Sequence, residues 1–295
     1  MTDSSTTESA TTPPVHRPAS QSALAAAAAR AAHLRVDAEP HIFSDPLAEA
    51  LLRDDAAALL AYHDLHGDHP VLAGARAQVV VRSHVTEAVL AAAQRRGVTQ
   101  YVVLGAGLDS YAYRVAAPGC TVFEVDHPLS QQDKRARVGA ARLSARSEVA
   151  YLPVDFETDA LIPALHAAGF DRRLPAVVSW LGVSMYLTRD AIDTTLRQLA
   201  ALPAGSELVF DYMLTESERD EAGQSYVDLV GPTTAERGEP WLSFFRPEDL
   251  SLILADAGFG WSRHLHQGDA VPAELWRRTD VLTPARLSVI GHVRR

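Results

Sequence analysis

The stretch YVVLGAGLDSYAYR (residues 101–114), followed closely by TVFEVDHP (121–128), decides how this chain folds. An apolar run ends in Gly105-Ala106-Gly107, and a second apolar run ends in an acid, Asp126. The runs 101–107 and 121–126 read as two β-strands joined through a glycine turn. Working outward, the same rhythm returns in VAYLPVD (149–155), AVVSWLG (176–182) and SELVFDYM (206–213). The segments between them, 129–146, 157–168 and 189–201, read as helices. Short apolar strands alternating with helices predict an α/β fold, a parallel sheet covered on both faces. Residues 214–246 break the rhythm; they are polar, with Gly231-Pro232 and Gly238, and read as an insertion able to form a lid. The pattern resumes with a helix over 247–257 stopped by Gly258, a strand near 259–266, and a last strand RLSVIGHV (286–293).

Upstream of the first strand the periodicity is helical from Gln21 to about Arg96. SALAAAAARAAHLR forms one helix, ended by Asp37-Ala38-Glu39-Pro40. Asp45-Pro46 starts a second, PLAEALLRDDAAALLAYH, with proline at its first position. A third runs from about Ala75 to Arg95 and stops at Gly97. Residues 1–19 are rich in Ser, Thr and Pro and hold almost no large apolar side chain, so burial cannot offset the entropy of ordering them. The domain plan is thus a disordered tail (1–19), a helical cap (20–96) and a sheet-containing core (97–295).

The composition excludes several classes of function. The chain has 295 residues, 47% hydrophobic, enough for a core without disulfide or metal staples. Its formal net charge of −10 argues against nucleic acid as a partner, because phosphate binding needs a basic face. One cysteine, Cys120, excludes an internal disulfide and a multi-cysteine zinc site. No apolar run approaches the ~20 residues of a membrane span, and no secretory signal is legible, so a cytoplasmic location is expected. There are 49 alanines and one lysine, Lys134, a bias read as GC-rich codon supply, so alanine is discounted as helix evidence.

In such a sheet, ligands bind beyond the carboxyl ends of the strands. Glycines after the first strand allow close approach of a ligand to the backbone, although a Gly-x-Gly also occurs in ordinary turns. The third glycine of the dinucleotide fingerprint is absent, since Ser110 stands there. Asp126 follows Gly105 by 21 residues (126 − 105), close to the ~20 of an acid that binds ribose hydroxyls. Glu124 shares its strand face and is a second candidate. Asp155 could meet an adenine amino group, or cap the following helix.

These pieces in this order resemble the leucine carboxyl methyltransferase-like branch of S-adenosylmethionine-dependent methyltransferases, which includes many bacterial O-methyltransferases, some in polyketide pathways. YVVLGAGLDSYAYR with VFEVDHP is the specific pair; YLPVDF, WLGVSMYLT, ELVFDYM and the N-terminal HIFSDPLAEAL are looser matches, and the resemblance spans roughly residues 20–295. It implies a doubly wound, Rossmann-like sheet of seven strands with the last antiparallel. It implies S-adenosylmethionine as cofactor, with S-adenosylhomocysteine as product. Arg82 would grip the methionine carboxylate, Gly105, Ala106 and Gly107 would lie against the methionine part, Asp126 or Glu124 would bind the ribose, and Asp155 and Phe156 would flank the adenine. Leu181 stands where many relatives carry a glutamate after the fourth strand, so a contact expected there is lost or supplied elsewhere.

Methyl transfer from a sulfonium is an in-line displacement that needs alignment and exclusion of water more than covalent help. A carboxylate acceptor needs no base, whereas a phenol or alcohol usually does. Tyr186, Tyr212, His127, Tyr111 and Asp211 are polar groups near predicted strand ends and are the candidates; tyrosines there also serve as packing residues. Arg114 could hold a substrate carboxylate or form an ion pair with Asp109, and Trp241, Phe244 and Phe245 could line the lid or pack beneath it. His63, His66 and His69 are spaced like metal ligands, but Gly67 and Pro70 interrupt the helix, so a surface loop without metal is expected. The expected activity is O-methylation of a small molecule at a carboxylate, enol or phenol oxygen, with a homodimer allowed for. The alternatives are a nicotinamide-dependent oxidoreductase, or a member of the methyltransferase fold with another reaction or none.

Overall fold

The computed structural model describes residues 20–156 and 158–295, so the tail expected over 1–19 lies outside the described residues. Four helices precede the sheet: α1 (Gln21–Val36), α2 (Ala48–Leu52), α3 (Ala56–His66) and α4 (Pro70–Arg95). The sheet is built from β1 (Gln100–Leu104), β2 (Thr121–Asp126), β3 (Glu148–Pro153), β4 (Ala176–Trp180), β5 (Glu207–Leu214), a two-residue β6 (Phe244–Phe245), β7 (Trp261–His266) and β8 (Ser288–Arg294). Between and after these strands lie α5 (Tyr111–Arg114), α6 (Pro128–Ala140), α7 (Leu161–Ala167), α8 (Arg189–Ala200), α9 (Glu221–Glu236), α10 (Pro247–Ala257) and the short α11 (Gln267–Ala270).

The strand order is β3-β2-β1-β4-β5-β8-β7, with β6 paired beside the end of β5. The strands β3 to β5 run parallel, and β8 is antiparallel to both β5 and β7. The chain order reverses between β1 and β4, which puts a crevice at the carboxyl end of β1. The seven-strand, last-antiparallel sheet expected from the sequence is present. The two-residue β6 was not foreseen; it is too short to leave a periodic signal.

Burial explains which runs became strands. β1, β4 and β5 are buried along their whole length, as central strands covered on both faces should be, while edge strand β3 is half exposed. Polar residues in these strands have dedicated partners. Gln100 is stitched to Asp171, accepting its N–H at 2.7 Å and donating to its carbonyl at 3.0 Å. Glu207 meets His292 at 2.6 Å and Arg294 at 3.1 Å, with Arg96 also paired to it.

The cap departs from its expected outline at two places. The helix expected from Pro46 to His63 is broken at Arg53, whose φ is +53°. Arg137 of α6 explains the break: its guanidinium donates to the carbonyls of Leu51 (3.3 Å) and Leu52 (2.8 Å) and to Asp55 (2.8 Å), so it satisfies the carboxyl end of α2. Second, α4 begins at Pro70 rather than Ala75, because proline is accepted at a first helical position and His69 caps it, accepting from the N–H of Val71 at 3.3 Å. The three spaced histidines thus do not form a loop: His63 and His66 end α3, and buried His63 lies beside Arg76.

Alanine turns out to carry structure. Ala27, Ala28, Ala29, Ala31 and Ala32 of α1 are all buried, and α1 packs on α2, α3 and α4. Small side chains let these helices approach closely, so the alanine run is a packing surface and not compositional noise. Within 214–246, α9 runs as a helix through Pro232, which costs it one backbone hydrogen bond. Among the described residues, no helix is long and apolar enough to cross a membrane.

Candidate active site

A cavity of about 720 Å³ opens at the crevice beyond β1 and β4. Its floor is the turn Gly105–Asp109, its sides are Asp126–Ser130 after β2, Val154–Phe156 after β3 and Leu181–Leu187 after β4, and α4 contributes Val79, Arg82 and Ser83. The amino-terminal turn of α1 (Ser20–Ala23, with Ala26 and Arg30) and residues 237–240 and 242 form the roof.

The glycine turn is shaped by sterics. Gly105 has φ +67°, and a Cβ there would collide with Cγ2 of Val183 from the β4 turn. Its N–H and that of Ala106 both bond to the carbonyl of Val125, at 2.8 and 3.1 Å, so the turn is tied to the end of β2. Gly107 donates its N–H to Oδ2 of Asp126 at 2.6 Å, and the N–H of His127 donates to Oδ1 at 2.7 Å. Burial raises the pKa of Asp126, and the two backbone donors act in the opposite direction by favouring its charged form.

Arg82 projects from α4 across the turn after β4. Its Nη1 donates to Oδ2 of Asp211 at 2.9 Å, while Oδ1 of Asp211 accepts the N–H of Gly182 at 2.5 Å. Gly182 has φ +69°, and a Cβ there would sit 2.6 Å from Nη2 and 3.0 Å from Cζ of Arg82. The guanidinium therefore lies directly on a glycine, with Asp211 holding one edge and the cavity at another.

The roof is fastened by Glu239. It accepts from the Ser20 hydroxyl at 2.8 Å and from the N–H of Ser22 at 3.1 Å, joining the start of α1 to the segment after α9. That segment is pinned below by Leu242, whose N–H donates to the carbonyl of Met185 at 2.6 Å, and by Ser243, whose hydroxyl donates to the carbonyl of Leu187 at 2.6 Å. Tyr186 lies between roof and floor, and burial raises the pKa of its phenol.

Of the candidates drawn from the sequence, Arg82, Gly105, Ala106, Gly107, Asp126, Asp155, Phe156, Leu181, Tyr186 and His127 all line this one cavity. His127 also caps α6, its Nδ1 accepting from the N–H of Leu129 at 3.3 Å.

The other candidates lie elsewhere. Glu124 is one strand repeat below Asp126, beneath α6, and pairs with Lys134 at 2.6 Å; both side chains are 1% exposed. Tyr212 is buried in the sheet and bonds to Nδ1 of His264 at 2.9 Å. Tyr111 is buried against Tyr101 and accepts from Gln94 at 3.0 Å. Arg114 is paired with Glu87 rather than Asp109, approaches Asp45 at 3.7 Å and covers the Phe43 ring. Trp241 stacks on Tyr226 with ring planes 7° apart, and Phe245 is core beneath the guanidinium of Arg189. Sequence position near a strand end did not distinguish these from the cavity residues: Tyr111 and Arg114 lie in α5, and Glu124 shares the face of Asp126 but sits deeper, beneath α6. Ser20, Ser22, Arg30 and Glu239 had no sequence signal beyond polarity. Asp211, one of the candidates, does not line the cavity; this acid of an otherwise apolar central strand is buried behind Arg82.

Residues 23–200 match the family model described as leucine carboxyl methyltransferase. The sequence is 32% identical over 176 residues to YktD of Bacillus subtilis, covering 59% of this chain and 58% of that protein's length. It is 30% identical over 249 residues to a Streptomyces coelicolor protein, covering 83% of this chain and 84% of the other. Both relatives carry S-adenosyl-L-methionine-dependent methyltransferase in their names. Among solved structures, a DUF574 family protein from Streptomyces avermitilis superposes with a TM-score of 0.56 at 17% identity, over 90% of this chain and 96% of that one. A protein from Thermobifida fusca, titled as a methyltransferase, gives 0.54 at 21% identity over 84% and 92%. At these identities the two structures establish a shared fold.

Proposed function

We propose that this chain, which belongs to the leucine carboxyl methyltransferase family, is an S-adenosylmethionine-dependent methyltransferase acting on an oxygen of a small molecule. The observation that carries this reading is the meeting, in one cavity, of the Gly105–Gly107 turn, Asp126 and Arg82. The donor set suits that cofactor. Arg82 bonds to protein through Nη1, which leaves guanidinium N–H groups toward the cavity for a carboxylate. Asp126 offers acceptor lone pairs beyond the two N–H groups it already receives, which suits ribose hydroxyls. Asp155 and Phe156 supply a polar edge and an aromatic face for a purine.

When bound, the cofactor supplies a methyl group already activated on a sulfonium. The chain's own part is to hold the reactants in line and to exclude water. The cap helices of residues 20–96 and the segment 214–246 serve that second purpose, with Glu239 closing the roof against α1. The acceptor is a carboxylate, enol or phenol of a secondary metabolite such as a polyketide. Tyr186 is the polar side chain best placed beside such an oxygen, and its raised pKa suits a neutral hydrogen-bond donor. A nicotinamide cofactor fits less well. The element after β1 is the four-residue α5, too short to offer the helix amino terminus on which a pyrophosphate sits.

The test is product formation. Incubation with methyl-labelled S-adenosylmethionine and a panel of aromatic acids, phenols, enols, amines and carbon nucleophiles should transfer label to at least one oxygen acceptor and release S-adenosylhomocysteine. Label appearing on nitrogen or carbon acceptors alone would overturn the oxygen assignment.

A further inference from the structure

Asp211 is an acid in the middle of a buried central strand, 1% exposed. Its two carboxylate oxygens face two donors: Nη1 of Arg82 at 2.9 Å and the N–H of Gly182 at 2.5 Å. Its backbone carbonyl accepts a third, the Ser184 hydroxyl, at 2.6 Å. One residue thus joins α4, β5 and the turn after β4, and that turn carries Leu181, Val183 and Tyr186 into the cavity. Gly182 closes the arrangement from the other side, since any Cβ there would push into the Arg82 guanidinium.

The structure assigns Asp211 as a positioning residue that aims Arg82 at the amino-acid end of the cofactor. This rests on the cofactor reading proposed above and adds to it a residue that does not itself line the cavity. The chemistry requires a carboxylate. Both partners are donors, so two acceptor oxygens are needed at fixed spacing; an asparagine offers one acceptor and one donor. In Asp211→Asn one of the two contacts must become donor against donor, so either the arginine or the turn is released. The charge matters as well, because a guanidinium held by a buried carboxylate has a defined orientation rather than a choice of rotamers.

The arrangement predicts a selective defect. S-adenosylhomocysteine carries the amino-acid carboxylate that Arg82 would meet, and methylthioadenosine lacks it. By calorimetry, Asp211→Asn should weaken S-adenosylhomocysteine by roughly 10- to 100-fold, the loss expected for a charged hydrogen bond. Methylthioadenosine affinity should stay within about twofold, since binding differences below that size reflect no lost hydrogen bond. Arg82→Met should give the same selective loss, and adding Asp211→Asn to it should cost little more, because the two act through one contact. Gly182→Ala provides a check that leaves Asp211 in place while displacing the guanidinium, and should reproduce the pattern. Equal weakening of both ligands by Asp211→Asn, or losses that add in the double variant, would overturn the assignment. Wild-type protein that binds neither ligand would instead defeat the cofactor reading itself.

Discussion

The N–H of Gly107 donates to Oδ2 of Asp126 across 2.6 Å, so the acid that ends β2 is fastened to the glycine turn that ends β1. The two sequence features that first suggested a nucleotide site are therefore one structural unit. Asp126→Ala removes both the ribose acceptor and the clasp on the turn. It should weaken S-adenosylhomocysteine by about 1–3 kcal/mol, the cost of leaving buried hydrogen-bonding groups unpaired. Unchanged affinity would mean that the ribose lies elsewhere.

Gly105 makes a steric prediction. Alanine at this position adds a Cβ into Val183 Cγ2 and must hold φ near +67°. Gly105→Ala should lower both thermal stability and cofactor affinity. Adding Val183→Ala should recover part of the stability and leave the cost of the left-handed backbone, about 1–2 kcal/mol. A double variant no more stable than the single one would show that the Val183 contact is not the source of the loss.

The Glu124–Lys134 pair predicts a change in stability with no change in binding. Both charges are buried, and burial raises the pKa of Glu124 while Lys134 opposes that shift. Removing one partner, as in Lys134→Met, should cost about 3–5 kcal/mol because it strands a buried charge. Replacing both, with Glu124→Met and Lys134→Met together, should restore most of that stability. Urea denaturation of the two variants measures this, and their cofactor affinity should match wild type. A weakened cofactor in the folded double variant would return a ribose role to Glu124.

The cap should be sensitive to acid. Arg76 makes paired bonds to Asp37 at 2.8 Å each, and His33 donates Nδ1–H to Asp37 at 2.8 Å while its Nε2 accepts the N–H of Ile42 at 3.0 Å. His63 adjoins Arg76, with Asp64 nearby, and His41 and Arg278 lie near His33. Burial lowers the pKa of His33, and burial with the Arg76 charge lowers that of His63 to about 4. A histidine whose pKa is lower folded than unfolded takes up its proton more readily unfolded. Its stabilising effect is therefore complete above about pH 6.5 and is lost as pH falls toward 4, by roughly 3 kcal/mol for His63 at the limit. The melting temperature should fall steadily from pH 7 to pH 5, and His63→Leu should flatten part of that slope. A melting temperature constant over this range would show that these buried histidines do not set the acid stability of the cap.

Much of the fold was legible because its central strands are short apolar runs between helices. β2 and α10 lie where the periodicity put them. The misread places have physical reasons. Pro70 reads as a breaker, but a first-turn proline starts α4; the polar stretch with Gly231-Pro232 reads as an insertion, yet α9 runs through Pro232 with the loss of one bond. The break at Arg53 is caused by Arg137, 84 residues away (137 − 53), and no local pattern reveals that. In the site, the backbone-shaping residues were readable: Gly105, Gly107 and Asp126 act through the chain near them. The roof residues Ser20, Ser22 and Glu239 were not, since they meet only after the chain folds back over more than 200 residues. Glu124 was misplaced because strand alternation gives the face of a side chain but not its depth beneath a covering helix.

Calorimetric titration of the protein with S-adenosylmethionine, S-adenosylhomocysteine and NADH decides whether the cavity is a methyl-donor site. One site should take the first two with micromolar affinity, hold them less tightly by about 1–3 kcal/mol in Asp126→Ala, and not take NADH. Tight binding of NADH, or no binding of either S-adenosyl compound, would contradict the methyl-donor assignment.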